Sequence, residues 1–268
     1  METPGQDMFS KNEPHNPFQA PRSRVADPVS ENSGVLLEAP KRNSAGSGMT
    51  WLSEGWDLFR KAPGTWIGIV VVWFLVSIAM NLIPVVNLLS SLVYPVLTGG
   101  LMLGCRSLEQ GRGLAFGHLF EGFQSHFGKL ALVGLLYLLG ALVVAGGVFA
   151  VVLGGSGALG IFTGTPPDES TLLMVMVAAL IAFALLVPLI MAFWFAPALV
   201  VFHDKSAVEA MGLSFRGCLG NIMPFLVYGI VGFIAAIVAT IPAGLGWLVL
   251  LPVFIGSTYK AYQDIFTA

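Results

Sequence analysis

The chain has 268 residues, of which 56% are hydrophobic and only 10% are charged, with a formal net charge of -2. Soluble domains carry about 25% charged residues, so a single water-facing globular core is excluded. No sustained basic tract is present, which excludes nucleic acid as a partner.

Residues 1–48 are polar, with prolines at 4, 14, 17, 21, 28 and 40. They hold no apolar core region of a cleavable signal and read as a disordered cytoplasmic tail. Asn16-Pro17-Phe18-Gln19-Ala20-Pro21 resembles a short N-P-[YF]-x-x-P stretch at the start of several bacterial membrane-protein families. It reads either as an extended linker or as a docking peptide for a cytoplasmic protein partner.

Residues 49–268 read as a membrane domain. No Asp, Glu, Lys or Arg occurs in 62–105, 130–167, 170–202 or 217–259. A membrane-spanning helix needs about 20 apolar residues, so the first and last runs hold two spans each and the middle runs one each. The fold class expected is an all-α polytopic membrane protein, with six transmembrane helices arranged as three hairpins. An amphipathic stretch precedes each hairpin. Its apolar stripes are Leu52, Trp56 and Phe59, then Phe116, Leu119, Phe120, Phe123 and Phe127, then Val208, Met211, Phe215 and Leu219. Spacings of three and four put each set on one helical face, fit for the headgroup region. An internal repeat aligns Phe59-Arg60-Gly64 with Phe123-Gln124-Gly128 and Phe215-Arg216-Gly220 without gaps, giving units of about 49–108, 113–201 and 204–266. The hairpins are expected to turn at Ile83–Asn87, near 154–170, and at Ile241–Gly244.

The Lys and Arg residues after position 49 are Arg60, Lys61, Arg106, Arg112, Lys129, Lys205, Arg216 and Lys260. All fall on the side of the amphipathic stretches, so both termini are expected in the cytoplasm and the protein in a bacterial inner membrane. Arg60, Lys61 and Arg216 are the basic residues expected near anionic headgroups. Cys105 and Cys218 fall near cytoplasmic helix ends and read as reduced and structural.

Candidate sites are few. His203 and Asp204, with Glu209 and His118, suggest a metal group, but zinc-ligand spacing is missing. Ser206-x-x-Glu209 offers a capping box instead. The expected spans carry no ionisable Asp, Glu, Lys, Arg or His, which argues against an ion-coupled pump. Asn81, Tyr94, Thr98 and Thr240 are candidate cavity-lining residues, and interhelical hydrogen bonding is their other reading. Pro95, Pro188 and Pro252 fall in the second span of each hairpin, and Pro197 near the end of the fourth span; each removes a donor and bends its helix. No nucleophile elbow, phosphate loop or His-Glu-x-x-His is present. No catalytic residue, metal or cofactor is therefore expected.

Four segments resemble a family of uncharacterised bacterial inner-membrane proteins: Phe193–Leu199, Ala210–Phe215, Phe225–Gly229 and Ser257–Phe266, with Trp56-x2-Phe59 ahead of them. The resemblance covers about residues 49–268. It implies a six-span core with a tyrosine-containing C-terminal end, no established activity and no catalytic residues. The function expected is non-enzymatic, a protein that organises or interacts at the lipid bilayer. The alternative is a transporter or lipid-handling protein with a cavity between the repeated hairpins.

Overall fold

The computed structural model describes residues 34–82, 84–154 and 169–268. Most of the tail, including Asn16–Pro21, and the loop residues 155–168 lie outside them. Among the described residues the fold is all-helical. Its elements are α1 (Ser47–Lys61), α2 (Pro63–Asn81), α3 (Pro84–Glu109), a 3₁₀ turn (Phe116–Phe120), α4 (Glu121–Ser125) and α5 (Phe127–Gly154). There follow α6 (Glu169–Trp194), α7 (Ala196–His203), α8 (Ala207–Gly220), α9 (Ile222–Thr240) and α10 (Trp247–Phe266).

Each amphipathic segment meets the long helix after it at one non-helical corner residue. These corners are Ala62 (φ -150°, ψ 59°), His126 (φ -136°, ψ 25°) and Asn221 (φ -125°, ψ 33°). Pro63 opens α2, where its missing N–H costs no helical hydrogen bond. Pro84 likewise begins α3, so it starts a helix rather than forming the turn expected at 83–87. The gap-free alignment puts the third corner at Cys218, in line with Ala62 and His126. The structure puts it at Asn221, one helical turn later.

Four helices among the described residues are long and apolar enough to cross a membrane: Pro63–Asn81, Phe127–Val151, Glu169–His203 and Ile222–Thr240. By this criterion the described residues show four of the six spans expected. α10 falls short because its last turns carry Lys260, Gln263 and Asp264, and α3 is not among the four. Both nevertheless run alongside the spans, α3 against α5 and α10 against α2. The span Glu169–His203 bends at Phe195. Ser214 on α8 reaches into the break, its hydroxyl donating to Met191 O (2.6 Å) and accepting from Phe195 N (2.9 Å). A side chain inserted into the helical ladder, with Pro197 just beyond, accounts for the bend.

The amphipathic segments pack by faces other than those expected. α1 lies against α9 and α10, burying Trp51, Leu52, Leu58 and Phe59, while Trp56 is 45% exposed. On α8 small residues face inward (Ala207, Ala210, Ser214, Gly217), and the apolar Val208 and Leu219 face outward. The second segment is a 3₁₀ turn followed by one short helix, pressed across α3. A Cβ on Gly122 would come 2.1 Å from Val96 O, and one on Gly100 would come 2.3 Å from His118 O.

The tail boundary expected at 48 falls inside the compact unit Gly34–Ala268. Leu37 N and Lys41 N donate to Phe266 O (2.9 Å) and Ile265 O (2.8 Å), satisfying carbonyls that α10 leaves open at its end. Asn221, fully buried, clasps the same segment. Its amide accepts from Asn43 N (2.8 Å) and donates to Lys41 O (2.8 Å) and Gly217 O (2.9 Å).

α1 approaches α10 most closely at Gly55, where an added Cβ would lie 2.5 Å from Val253 O and 2.6 Å from Ser257 N. These are backbone atoms that cannot swing aside. Gly55→Ala is expected to cost about 1–3 kcal/mol, read as a lower Tm in detergent; an unchanged Tm would show that α1 does not pack this tightly.

Candidate functional site

A cleft of about 880 Å³ opens between two walls, α2 with α3 on one side and α9 with α10 on the other. The first wall carries Trp73, Ser77, Tyr94 and Thr98; Trp73 stacks obliquely on Tyr94, with ring centroids 6.4 Å apart. Helical spacing of four puts Trp73 with Ser77, and Tyr94 with Thr98, on matching faces. The opposite wall is mostly apolar, with Tyr228 and Thr258 as its hydroxyl-bearing members. It includes Gly229, Gly232, Phe233, Leu248 and Leu251. Gly229 presents bare backbone, since a Cβ built there meets no atom within 4 Å.

One end of the cleft is bounded by the turn before α10, where Ala243 (φ 52°) and Gly244 (φ 82°) take left-handed conformations. Glycine adopts that conformation freely and alanine does so at a cost. The other end is lined by Met102, Trp194, Tyr228 and Thr258. Behind them lies an aromatic core. Phe195 packs on Phe225 (5.8 Å) and Phe266 (5.3 Å), and Trp51 on Phe225 (5.4 Å). Tyr228 shares a 2.8 Å hydrogen bond with Ser257.

Past this core a polar cluster joins α3, α10 and α1. The Glu109 carboxylate accepts from Tyr259 (2.7 Å), Gln263 (2.7 Å) and Lys260. Trp51 Nε1 donates to Asp264 (2.9 Å), which Lys41 also approaches at 3.7 Å. Burial pushes the Glu109 carboxyl up, but the bonds from Lys260, Tyr259 and Gln263 outweigh it and hold the group below its ordinary value. Glu54 is pushed up, chiefly by burial.

Of the candidate cavity-lining residues, Tyr94 and Thr98 line this cleft, whereas Asn81 and Thr240 lie outside the lining. Asn81 Nδ2 donates to Ser77 O (2.7 Å). Thr240 donates to Ala236 O (2.8 Å) and accepts from Trp247 Nε1 (3.1 Å). Arg60 pairs with Asp57 on its own helix, and Lys61 and Arg216 are exposed. His203, Asp204, Glu209 and His118 go to separate partners. His203 bonds Tyr262, Asp204 takes Lys129 (2.6 Å), and His118 lies 3.8 Å from Glu121. Glu209 closes the capping box with Ser206. Hydrogen bonds from Lys129 and Ser206 hold the Asp204 and Glu209 carboxyls below their ordinary range. The cleft residues that sequence reasoning passed over are Gly229 and the tryptophans 73, 194 and 247. Apolar and aromatic residues on a lipid-facing helix and on a cleft wall are alike in sequence.

No family model matches the sequence, and no solved structure matches it. A protein of Burkholderia thailandensis named as a probable inner membrane protein is 32% identical over 207 residues, which is 72% of this chain and 75% of that protein.

The depressed Glu109 carboxyl stabilises the fold above the ordinary carboxylate range, and that contribution is lost as pH falls through the range and below it. Glu109→Gln is expected to lose about 2 kcal/mol at pH 7. The gap from the unaltered protein should narrow below about pH 4. Tm measured against pH checks this, and a gap constant with pH would remove the ionised carboxylate from the account.

Proposed function

The chain belongs to the same inner-membrane family as this Burkholderia protein, and from that premise we propose that it is a non-enzymatic, lipid-handling membrane protein. The observation that carries the reading is the apolar cleft between the first and last pairs of long helices. Its volume is that of a small-molecule site, and its lining is mostly apolar and aromatic. A further organising role at the bilayer surface is supported by Phe116, Phe120, Phe123 and Phe127, an exposed aromatic row next to α5. Such a row anchors in headgroups rather than in water.

In this proposal α3 and α10 also cross the bilayer, giving six spans in three hairpins with both termini cytoplasmic. Two features support it. The charge-free stretches of α3 and α10 pack beside α5 and α2. Basic residues also gather at one end of the bundle, where Lys129 meets Asp204, Lys260 meets Glu109 and Arg106 lies over Phe202. Lys and Arg mark the cytoplasmic side.

Cysteine labelling in intact cells tests the topology, since the native Cys105 and Cys218 are buried. Ile241→Cys and Asp168→Cys are expected to react with a membrane-impermeant maleimide, and Lys61→Cys and Arg112→Cys only after lysis; the opposite pattern reverses the orientation. The lipid reading is tested by Gly229→Trp, which places an indole into open space without a backbone clash. Native mass spectrometry should show less co-purified lipid on this variant, at unchanged Tm. Equal lipid on both proteins would remove the cleft as the site.

A further inference from the structure

Five hydroxyl-bearing residues line the cleft: Ser77 on α2 with Tyr94 and Thr98 on α3 make three on one wall, and Tyr228 on α9 and Thr258 on α10 lie opposite. None of the three has a hydrogen-bond partner among the described residues, although Trp247, Thr240, Tyr228 and Ser257 nearby are all paired. Each is half-buried. In hydrocarbon no water satisfies such groups, and an unmet hydroxyl there is costly. These three hydroxyls share one wall, opposite Gly229, Phe233 and Leu251, whereas the Tyr228 and Thr258 hydroxyls of the other wall are engaged with Ser257 and with each other. The cleft therefore offers hydrogen-bond donors along one side and hydrocarbon contact along the other.

No Asp, Glu, Lys, Arg or His is among the lining residues, so nothing in the cleft compensates a buried charge. The part of a ligand held inside is uncharged. A slender acyl chain fits a cleft of about 880 Å³. The cleft runs from the Ile241–Gly246 turn to the buried Met102 and Tyr228, which gives it a direction.

We infer that the cleft holds an ester-linked glycerolipid from the leaflet on the side of the Ile241–Gly246 turn. Its carbonyls accept from the hydroxyls of Ser77, Tyr94 and Thr98, its chain runs toward Met102 and Thr258, and its charged headgroup stays outside. This inference rests on the lipid-handling reading above and adds the chemistry by which the lipid is recognised.

The test uses the full-length protein in detergent, offered diacyl phosphatidylglycerol or its dialkyl ether analogue, which lacks the carbonyls. Retention is read by native mass spectrometry. The unaltered protein should hold the ester lipid about five-fold better than the ether lipid, the worth of one net hydrogen bond. Tyr94→Phe, which keeps the ring against Trp73, and Thr98→Val should each reduce that preference while binding the ether lipid as before. Gly229→Trp should lose both lipids. Equal retention of ester and ether lipid, with both still lost in Gly229→Trp, overturns the carbonyl recognition and leaves the lipid reading standing. Retention of both lipids by Gly229→Trp, or a co-purifying protein in place of lipid, overturns both.

Discussion

The contact on which the rest of the structure depends is the backbone-to-backbone approach of α1 and α10. Gly55 and Gly256 face each other there, and a Cβ on Gly256 would come 3.1 Å from Gly55 O. With no side chain between them, α1 lies deep enough for Trp51 to reach both Phe225 and Asp264. Gly48 repeats the device one end further along, where its missing Cβ would lie 2.2 Å from Pro224 O. Small residues that bring helices close are a common means of helix association in lipid, where burial of apolar surface gives little driving force. Here the close approach also supports the Tyr228 end of the cleft, because Trp51 packs on Phe225 and Tyr228 there.

The motifs that carried the resemblance prove to be parts of this one assembly. Within Ser257–Phe266, Tyr259 bonds Glu109, Tyr262 bonds His203, Asp264 bonds Trp51 and Phe266 packs on Phe195. Within Phe193–Leu199, Phe195 through Leu199 are buried. These segments come together at the end of the bundle where Arg106, Lys129 and Lys260 also lie. Much of what the sequence marks out there is packing and hydrogen-bond satisfaction rather than chemistry.

The membrane character, the order of short and long helices and the Ser206 capping box were all legible. They depend on charge-free runs and local hydrogen bonding, which composition and short spacings report directly. The buried faces were legible only in part. In water an apolar stripe points inward, but beside lipid Val208 and Leu219 turn outward and Ala210, Ser214 and Gly217 turn inward. Trp51 was missed in favour of Trp56 for the same reason. Ser214 bridging Met191 and Phe195, and Asn221 clasping residues 41 and 43, join positions far apart in sequence, and a local pattern does not report such pairs. In the cleft, Tyr94 and Thr98 were legible as polar residues on one helical face. Asn81 and Thr240 share that polarity, but their hydrogen bonds are met on or beside their own helices.

The clasp formed by Asn221 has a consequence for the order of assembly. Residues 37–43 bond to carbonyls at the end of α10 and to the corner before α9, and α1 docks on both helices. All of these early residues leave the ribosome before their partners exist. As chains are made from the N-terminus, α1 must wait with Trp51, Leu58 and Phe59 uncovered until the last pair of helices has been inserted. An amphipathic helix with basic residues in its last turn is suited to waiting on a membrane surface. The first helix therefore reaches its packed position only once the last pair of helices is in place.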